Sequence, residues 1–339
     1  MRKILFLLSL SVFLSSCSVT GNTSTEKKIV EKGNKEQAII PKYSGSEDFY
    51  KTILPMKEQK VINVINEKTN SKLNMDAFES GLFNISSKQF DSKSHYFQRS
   101  SYLSEKTIDE LVIKQDVPYV SNIIEQDYFI KNDSDQLDLK GVVIGLAMTS
   151  DHSNEEALEK STEVANKVLK ALRENKKFKN VPVTFAVFKQ ESVTSVKNGT
   201  FIAEAIVQTN ENTVGKWNNI NEKSFIYPSD DLKQAFGKDY EKMDKFSEKL
   251  KGFSSKDYIP VNATVLYKDD KVDKLDINVV MKFNGNAELI GFTQFAVQSI
   301  LDVFPKDIRI QLRVKSDTKD EAIIIREKNM DEPFVSFLE

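Results

Sequence analysis

The chain has one cysteine in 339 residues, Cys17, so its body has no thiol to spare for a disulfide, a zinc-thiolate site or a cysteine nucleophile. With two histidines, His95 and His152, an HExxH zinc site is absent, and a Ser-His-Asp triad would have to use one of them. No metal and no cofactor is expected. The twelve glycines are scattered, and neither GxGxxG nor GxxxxGK[ST] occurs, which excludes a readable nucleotide-phosphate loop. Charge of neither sign prevails, with 48 basic against 50 acidic residues. Removing Arg2 and Lys3 with a leader leaves 46 against 50, and that balance argues against a nucleic-acid partner. What is present is 40% hydrophobic and 29% charged residues, enough to build the cores of two modest domains.

The first residues have a different character. Met1-Arg2-Lys3 carries positive charge, Ile4 to Leu14 is apolar, and Ser15-Ser16-Cys17 is a small-residue exit, the layout of a secretory signal. The apolar run is about half of the roughly twenty residues a membrane-crossing helix needs, so cleavage is expected. Leu14-Ser15-Ser16-Cys17 forms a lipobox, in which the small side chains of Ser15 and Ser16 let a peptidase close on the bond. The Cys17 thiol is the nucleophile for diacylglyceryl transfer. Prolipoprotein diacylglyceryl transferase and signal peptidase II are the expected processing partners. Two or three acyl chains hold a protein stably, whereas one holds it only marginally. The mature chain is therefore expected on the extracellular face of the cell membrane.

Residues 1–16 are thus read as a signal peptide and 17–48 as a lipidated cysteine followed by a flexible tether, because Ser18 to Glu47 is rich in Ser, Thr, Asn, Lys and Glu. Residues 49–215 are read as a mainly helical segment followed by a first repeat. Apolar stripes predict helices over Lys57–Lys68 and Asp76–Phe90, the latter led by Met75, Phe78, Leu82 and Ile85 with Asn74 as N-cap, and a short one from Ser104 to Leu111. Strands are predicted over Ile123–Ile130, Leu137–Met148, Val181–Gln190 and Thr200–Gln208, with an amphipathic helix over Glu155–Asn175. The continuous run through Val142-Val143-Ile144 marks a central strand. Residues 216–339 repeat the order after a linker and a helix over Asp230–Lys251. Strands Ile259–Tyr267 and Leu275–Phe283, helix Glu288–Phe304, and strands Ile308–Val314 and Glu321–Arg326 follow. The fold class is α+β, with two repeats of β-β-α-β-β. Alternation through Ile308, Ile310, Leu312 and Val314 predicts one helix-free face for that strand.

Three polar groups invite a chemical reading. Asp151 and His152 are adjacent between a strand and a helix, where a solvated loop pair is expected. Glu125 and Asp127 point to one side of a strand, and an exposed strand face is the expected reading over an acid-base pair. The only tryptophan opens Trp217-Asn218-Asn219-Ile220-Asn221-Glu222 in the linker. Trp217, Asn218, Asn219 and Glu222 could line a ligand groove between domains; alternatively Trp217 is an inter-domain plug and the asparagines cap turns.

The chain also carries several blocks in a fixed order: Tyr50-Lys51-Thr52-Ile53-Leu54-Pro55, Phe78-Glu79-Ser80-Gly81-Leu82-Phe83-Asn84-Ile85-Ser86, Tyr119 to Asp127, Val143 to Met148, Leu172-Arg173-Glu174-Asn175 and Trp217 to Lys223. On these blocks it resembles the CamS family of sex-pheromone precursor lipoproteins of low-GC Gram-positive bacteria over nearly its whole length. The resemblance implies a two-repeat α+β body. It also implies that the signal peptide is a message: a short apolar peptide ending before the lipidated cysteine is released and met by a receptor in plasmid-bearing enterococci. The corresponding stretch is Leu10-Ser11-Val12-Phe13-Leu14-Ser15-Ser16, with Phe13 one place later than in the family's usual peptide and serines where that peptide has small apolar residues. No activity of the mature domain is carried by the resemblance. A non-catalytic binding module is the expectation for the body, with an envelope-acting hydrolase or a solute-binding lipoprotein as alternatives.

Overall fold

The computed structural model describes residues 27–30, 37–40, 49–55, 69–99, 102–112, 114, 118–254 and 258–338. The leader segment Leu10–Ser16, Cys17 and the helix expected over Lys57–Lys68 lie outside them. Within the stretch expected to be a tether, β1 (Lys27–Val30) and β2 (Gln37–Ile40) pair antiparallel from Lys27↔Ile40 to Val30↔Gln37. Each strand ends in β-branched residues, a local β preference that the polar composition of the segment hides.

The first half of the body contains β3 (Lys51–Thr52), β4 (Ser71–Lys72), α1 (Met75–Ser86), β5 (Tyr96–Arg99), α2 (Glu105–Val112), β6 (Val120–Lys131), β7 (Leu137–Met148), α3 (Asn154–Glu174), β8 (Val183–Lys189), β9 (Glu191–Ser192), β10 (Thr200–Val207) and β11 (Asn218–Asn219). Its seven-stranded sheet has the order β11-β10-β8-β7-β6-β5-β3, so the Val142-Val143-Ile144 strand is central. β6 and β7 form an antiparallel hairpin, α3 crosses over to place β8 parallel to β7, and β10 returns antiparallel. In the N-terminal segment α1 and α2 form where their stripes predict them, while β3 and β5, which no stripe marks, extend the sheet and β4 pairs with β9.

Both faces of this sheet are covered. Val142, Ile144, Leu146 and Met148 pack with Val164, Val168 and Leu172 of α3, while Val143 and Ala147 meet Phe78 and Leu82 of α1. Asn74 caps α1 by accepting from the Ala77 N–H at 3.0 Å. Ser153 and Glu156 form a reciprocal capping box on α3, at 3.2 and 2.9 Å. A Cβ on Gly145 of the central strand would lie 2.7 Å from Cζ of Phe78, a ring with no exposed surface. Gly145→Ala is therefore expected to cost about 1–3 kcal/mol through overpacking, read as a lower urea midpoint; an unchanged midpoint would mean that Phe78 can withdraw.

The second half contains β12 (Glu222–Tyr227), α4 (Asp230–Ala235), α5 (Gly237–Lys251), β13 (Val261–Lys268), β14 (Lys271–Val280), α6 (Asn286–Val303), β15 (Arg309–Lys315), β16 (Asp320–Arg326) and β17 (Phe334–Phe337). Its sheet has the order β12-β13-β14-β15-β16-β17. The run β13-β14-α6-β15-β16 has the connectivity of β6-β7-α3-β8-β10: antiparallel hairpin, parallel crossover, antiparallel return. The helix expected over Asp230–Lys251 is two helices, broken at Phe236, whose ring stacks on Tyr267 at 3.8 Å. Ile310, Leu312 and Val314 are buried with Phe292, Ala296 and Ile300 of α6, whereas Gln311 and Arg313 between them are only half-buried. Among the described residues, helices cover this second sheet on one face alone.

The linker expected around Trp217 is a strand that serves both halves. β11 pairs with β10 of the first sheet, and β12, two residues later, pairs with β13 of the second. Between them the Ile220 N–H donates to the Ile202 carbonyl at 2.9 Å, and the Asn221 carbonyl accepts from the Asp269 N–H at 2.9 Å. Asp269 and Asp270, both at positive φ, form the two-residue turn between β13 and β14.

Candidate functional site

In an α/β crossover the carboxyl ends of the parallel strands and the following helix N-terminus are where ligands commonly bind. In the first half this end is formed by Met148 and Lys189, the last residues of β7 and β8, and by the loop into α3. Lys189 ends an otherwise apolar strand, and its Nζ donates to the Thr149 carbonyl at 2.8 Å and to the His152 carbonyl. Burial lowers the Lys189 pKa from the usual lysine range. Ser150 is held by Ser71, with its N–H 2.7 Å from the Ser71 hydroxyl, and Asn70 donates its N–H to Asp151 at 3.3 Å. The strand β4 thus closes over this end. Lys189 staples the loop rather than presenting an open ammonium.

Asp151 is exposed, as expected for a loop residue, and His152 stacks on Tyr119 at 4.2 Å. The geometry draws these two side chains to different partners. Glu125 and Asp127 correct the sequence reading. They share a side of β6, but that side is covered, and both residues are fully buried. Glu125 accepts from the N–H groups of Tyr102 and Leu103 at 3.3 and 3.0 Å, fixing the entry to α2. A carboxylate can be buried where backbone donors replace its water, and strand alternation tells which residues share a face without telling what covers it.

At the junction Trp217 is half-buried against the α3 side of the first core, and its indole N–H donates to the Thr162 hydroxyl at 2.8 Å. Asn218 and Asn219 are exposed on the edge strand. Glu222 reaches back to the first sheet, accepting from the Phe201 N–H at 3.2 Å beside the bulge in the β8–β10 ladder. Burial raises the Glu222 pKa, and the Phe201 hydrogen bond opposes that rise only in part. These side chains are spent on packing, edge pairing and an inter-sheet hydrogen bond. A small cavity lies elsewhere, in the second half, lined by Leu232, Met243, Val265, Tyr267 and Phe304 among others. Among the described residues no three His, Cys, Asp or Glu side chains converge as a metal site.

Sequence reasoning missed two clamping arginines. Arg173 near the end of α3 donates to the carbonyls of Phe178, of Val181 at 2.7 Å and of Gln208 at 3.0 Å. Arg326, at the end of β16, is fully buried and donates to the carbonyls of Phe304 at 3.0 Å, Pro305 at 2.5 Å and Ile308 at 3.4 Å. In both halves a guanidinium holds the helix-to-strand connection, once from the helix and once from the strand. Position near the end of an element was the only sequence signal. No described helix is long and apolar enough to cross a membrane.

The family model for the CamS sex pheromone cAM373 precursor matches residues 57–117 and 112–332. Among solved structures the chain is similar to a sex pheromone staph-cAM373 precursor, at 55% identity, with 84% of this chain and 99% of that one covered and a TM-score of 0.53. It is also similar to a sex pheromone precursor from Lactobacillus salivarius subsp. salivarius UCC118, at 25% identity over 88% of this chain and 98% of that one, with a TM-score of 0.76. The C-terminal domain of the staph-cAM373 precursor from Staphylococcus aureus matches at 25% identity over 78% and 96%, with a TM-score of 0.68. No curated protein matches the chain. With the family model covering both halves of the body, the chain belongs to the CamS sex pheromone cAM373 precursor family.

Proposed function

We propose that this precursor yields two products divided at Cys17: a peptide ending at Ser16 that induces conjugation, and a lipid-anchored body that remains on the extracellular face of the membrane as a non-catalytic binding module. The observation that carries this reading is the sequence Leu14-Ser15-Ser16-Cys17 at the end of an apolar leader, in a chain of a pheromone-precursor family. Prolipoprotein diacylglyceryl transferase would acylate the Cys17 thiol, and signal peptidase II would cut before it. The segment Leu10-Ser11-Val12-Phe13-Leu14-Ser15-Ser16 has no charged side chain. Without a side-chain charge to desolvate, such a peptide can leave the bilayer and enter an apolar receptor pocket at low cost.

For the body, the non-catalytic reading is supported by how its chemically capable side chains are used. Glu125 accepts backbone N–H groups, Lys189 donates to loop carbonyls, and His152 stacks on Tyr119.

Mass spectrometry of culture medium and membranes tests the division. A medium peptide ending at Ser16 and a diacylglyceryl-modified Cys17 are expected together. An unmodified Cys17 at a mature N-terminus would overturn the anchor. Synthetic Leu10–Ser16 peptide is expected to raise conjugation in responder enterococci, and no response across a broad responder panel would remove the signalling role.

A further inference from the structure

The two halves have separate cores. Buried apolar residues from Tyr50 to Val214 cluster around the first sheet, and those from Tyr227 to Ile324 around the second. The passage between them is the strand formed by β11 and β12. Its last hydrogen bond to the first sheet's backbone is made by Ile220, and its ladder with the second sheet begins at Glu222↔Lys268. Ile220 and Asn221 separate the two ladders, the first tied to the first half by its N–H and the second to the second half by its carbonyl, which accepts from the Asp269 N–H.

β10 and β12 also approach each other at the junction, and the side-chain hydrogen bond and ion pair described across it are polar. The Glu222 carboxylate accepts from Phe201 N–H at 3.2 Å. Lys197, in the loop before β10, reaches Asp231 of α4 at 3.2 Å and lies 5.4 Å from the centre of the Phe225 ring. Asp231 keeps 68% of its side-chain surface exposed, so solvent screens this ion pair and leaves it weak. An interface without a shared apolar core makes relative motion the default expectation for two such bodies.

We infer that the two sheets are rigid bodies that turn about Ile220–Glu222, with the Glu222 contact to Phe201 and the Lys197–Asp231 pair acting as a releasable latch. The backbone of the passage supplies the pivot. The latch is broken by the loss of one charge-assisted hydrogen bond and one exposed ion pair, which leaves both cores intact.

Spin labels test this in the full chain carrying Cys17→Ser, a background free of other cysteines. Labels at Lys167→Cys and Gln294→Cys span the two halves; labels at Lys167→Cys and Ser80→Cys lie within the first. All three positions are exposed. The cross-half pair is expected to give two distance components, and the in-half pair one. Glu222→Ala is expected to raise the released component relative to the latched one by about tenfold, as loss of a hydrogen bond to a charged group implies. The surface double variant Lys197→Ala with Asp231→Ala is expected to shift it in the same direction without touching a buried group. A single cross-half distance, as narrow as the in-half one in every variant, would overturn the hinge. So would a second component that vanishes on dilution with unlabelled chain, since it would then arise between copies.

Discussion

Arg326→Leu is expected to lower the stability of the body by about 3 kcal/mol, since each buried acceptor left unsatisfied costs about 1–3 kcal/mol. The guanidinium has no exposed surface, and its donors meet carbonyls at the end of α6 and in the turn into β15. Carbonyls at a helix C-terminus lack intrahelical partners and carry the negative end of the helix dipole, so a cation there satisfies both needs. Burial pulls the Arg326 pKa below the usual arginine value, yet a guanidinium so far from neutrality keeps its proton. Leucine would fill much of the space while leaving three carbonyls without this donor. Urea unfolding followed by circular dichroism measures the effect. A loss under about 1 kcal/mol would mean that water reaches the turn once the arginine is gone. Arg326→Lys should fall between, since an ammonium keeps the charge but cannot span the carbonyls as a planar fork.

Cys17→Ala is expected to move the chain from the membrane fraction to the medium, or to leave it in the membrane with an uncut leader. In either case labelling with a radioactive fatty acid should fall to background. A large effect is expected because each buried methylene contributes about 0.8 kcal/mol to membrane binding, and the two long acyl chains proposed for Cys17 would bury many of them. The leader's own apolar run, about half a bilayer span, cannot substitute for them once cut. Unchanged acyl labelling would remove Cys17 as the anchor. Because the described body lies well downstream of residue 17, its unfolding midpoint should be the same in the variant, which separates loss of anchoring from loss of fold.

The parts of the fold that were legible in the sequence are those whose burial follows a simple period. β7 announced itself through an unbroken apolar run because helices cover both of its faces, and α3 through a stripe that one sheet face buries. Short edge elements were not legible. Tyr96-Phe97-Gln98-Arg99 is too brief to show alternation, and it becomes strand β5 because β6 is there to pair with it. Glu222 to Tyr227 looked like linker since its leading residues are polar. It is extended because Tyr267, Leu266 and Val265 offer it a ladder, a tertiary cause that no local propensity contains.

The candidate residues show the same limit. Trp217 stands out in the sequence as its one tryptophan, but its partner, Thr162, is 55 positions away on α3. Glu125 and Asp127 were correctly given one face of β6, while the donors that meet Glu125 there come from residues 102 and 103. Asn74 was legible as a cap because a cap is a local device, complete within four residues. The proposal at Cys17 is local in the same way, since a processing enzyme would read the segment as an extended string, and its test is chemical rather than structural.

The strand shared by the two sheets sets an order of events during synthesis. The first sheet needs nothing beyond Val207 to assemble β3 through β10, and β11 only finishes its edge. A chain emerging N-terminus first from a ribosome or an export channel can therefore complete that sheet while the second is still threading. Its last edge then seats Asn218 and Asn219, and β12 begins three residues beyond that seat. The finished half therefore fixes where the second half starts and, with Ile220–Glu222 as a pivot, leaves its orientation free.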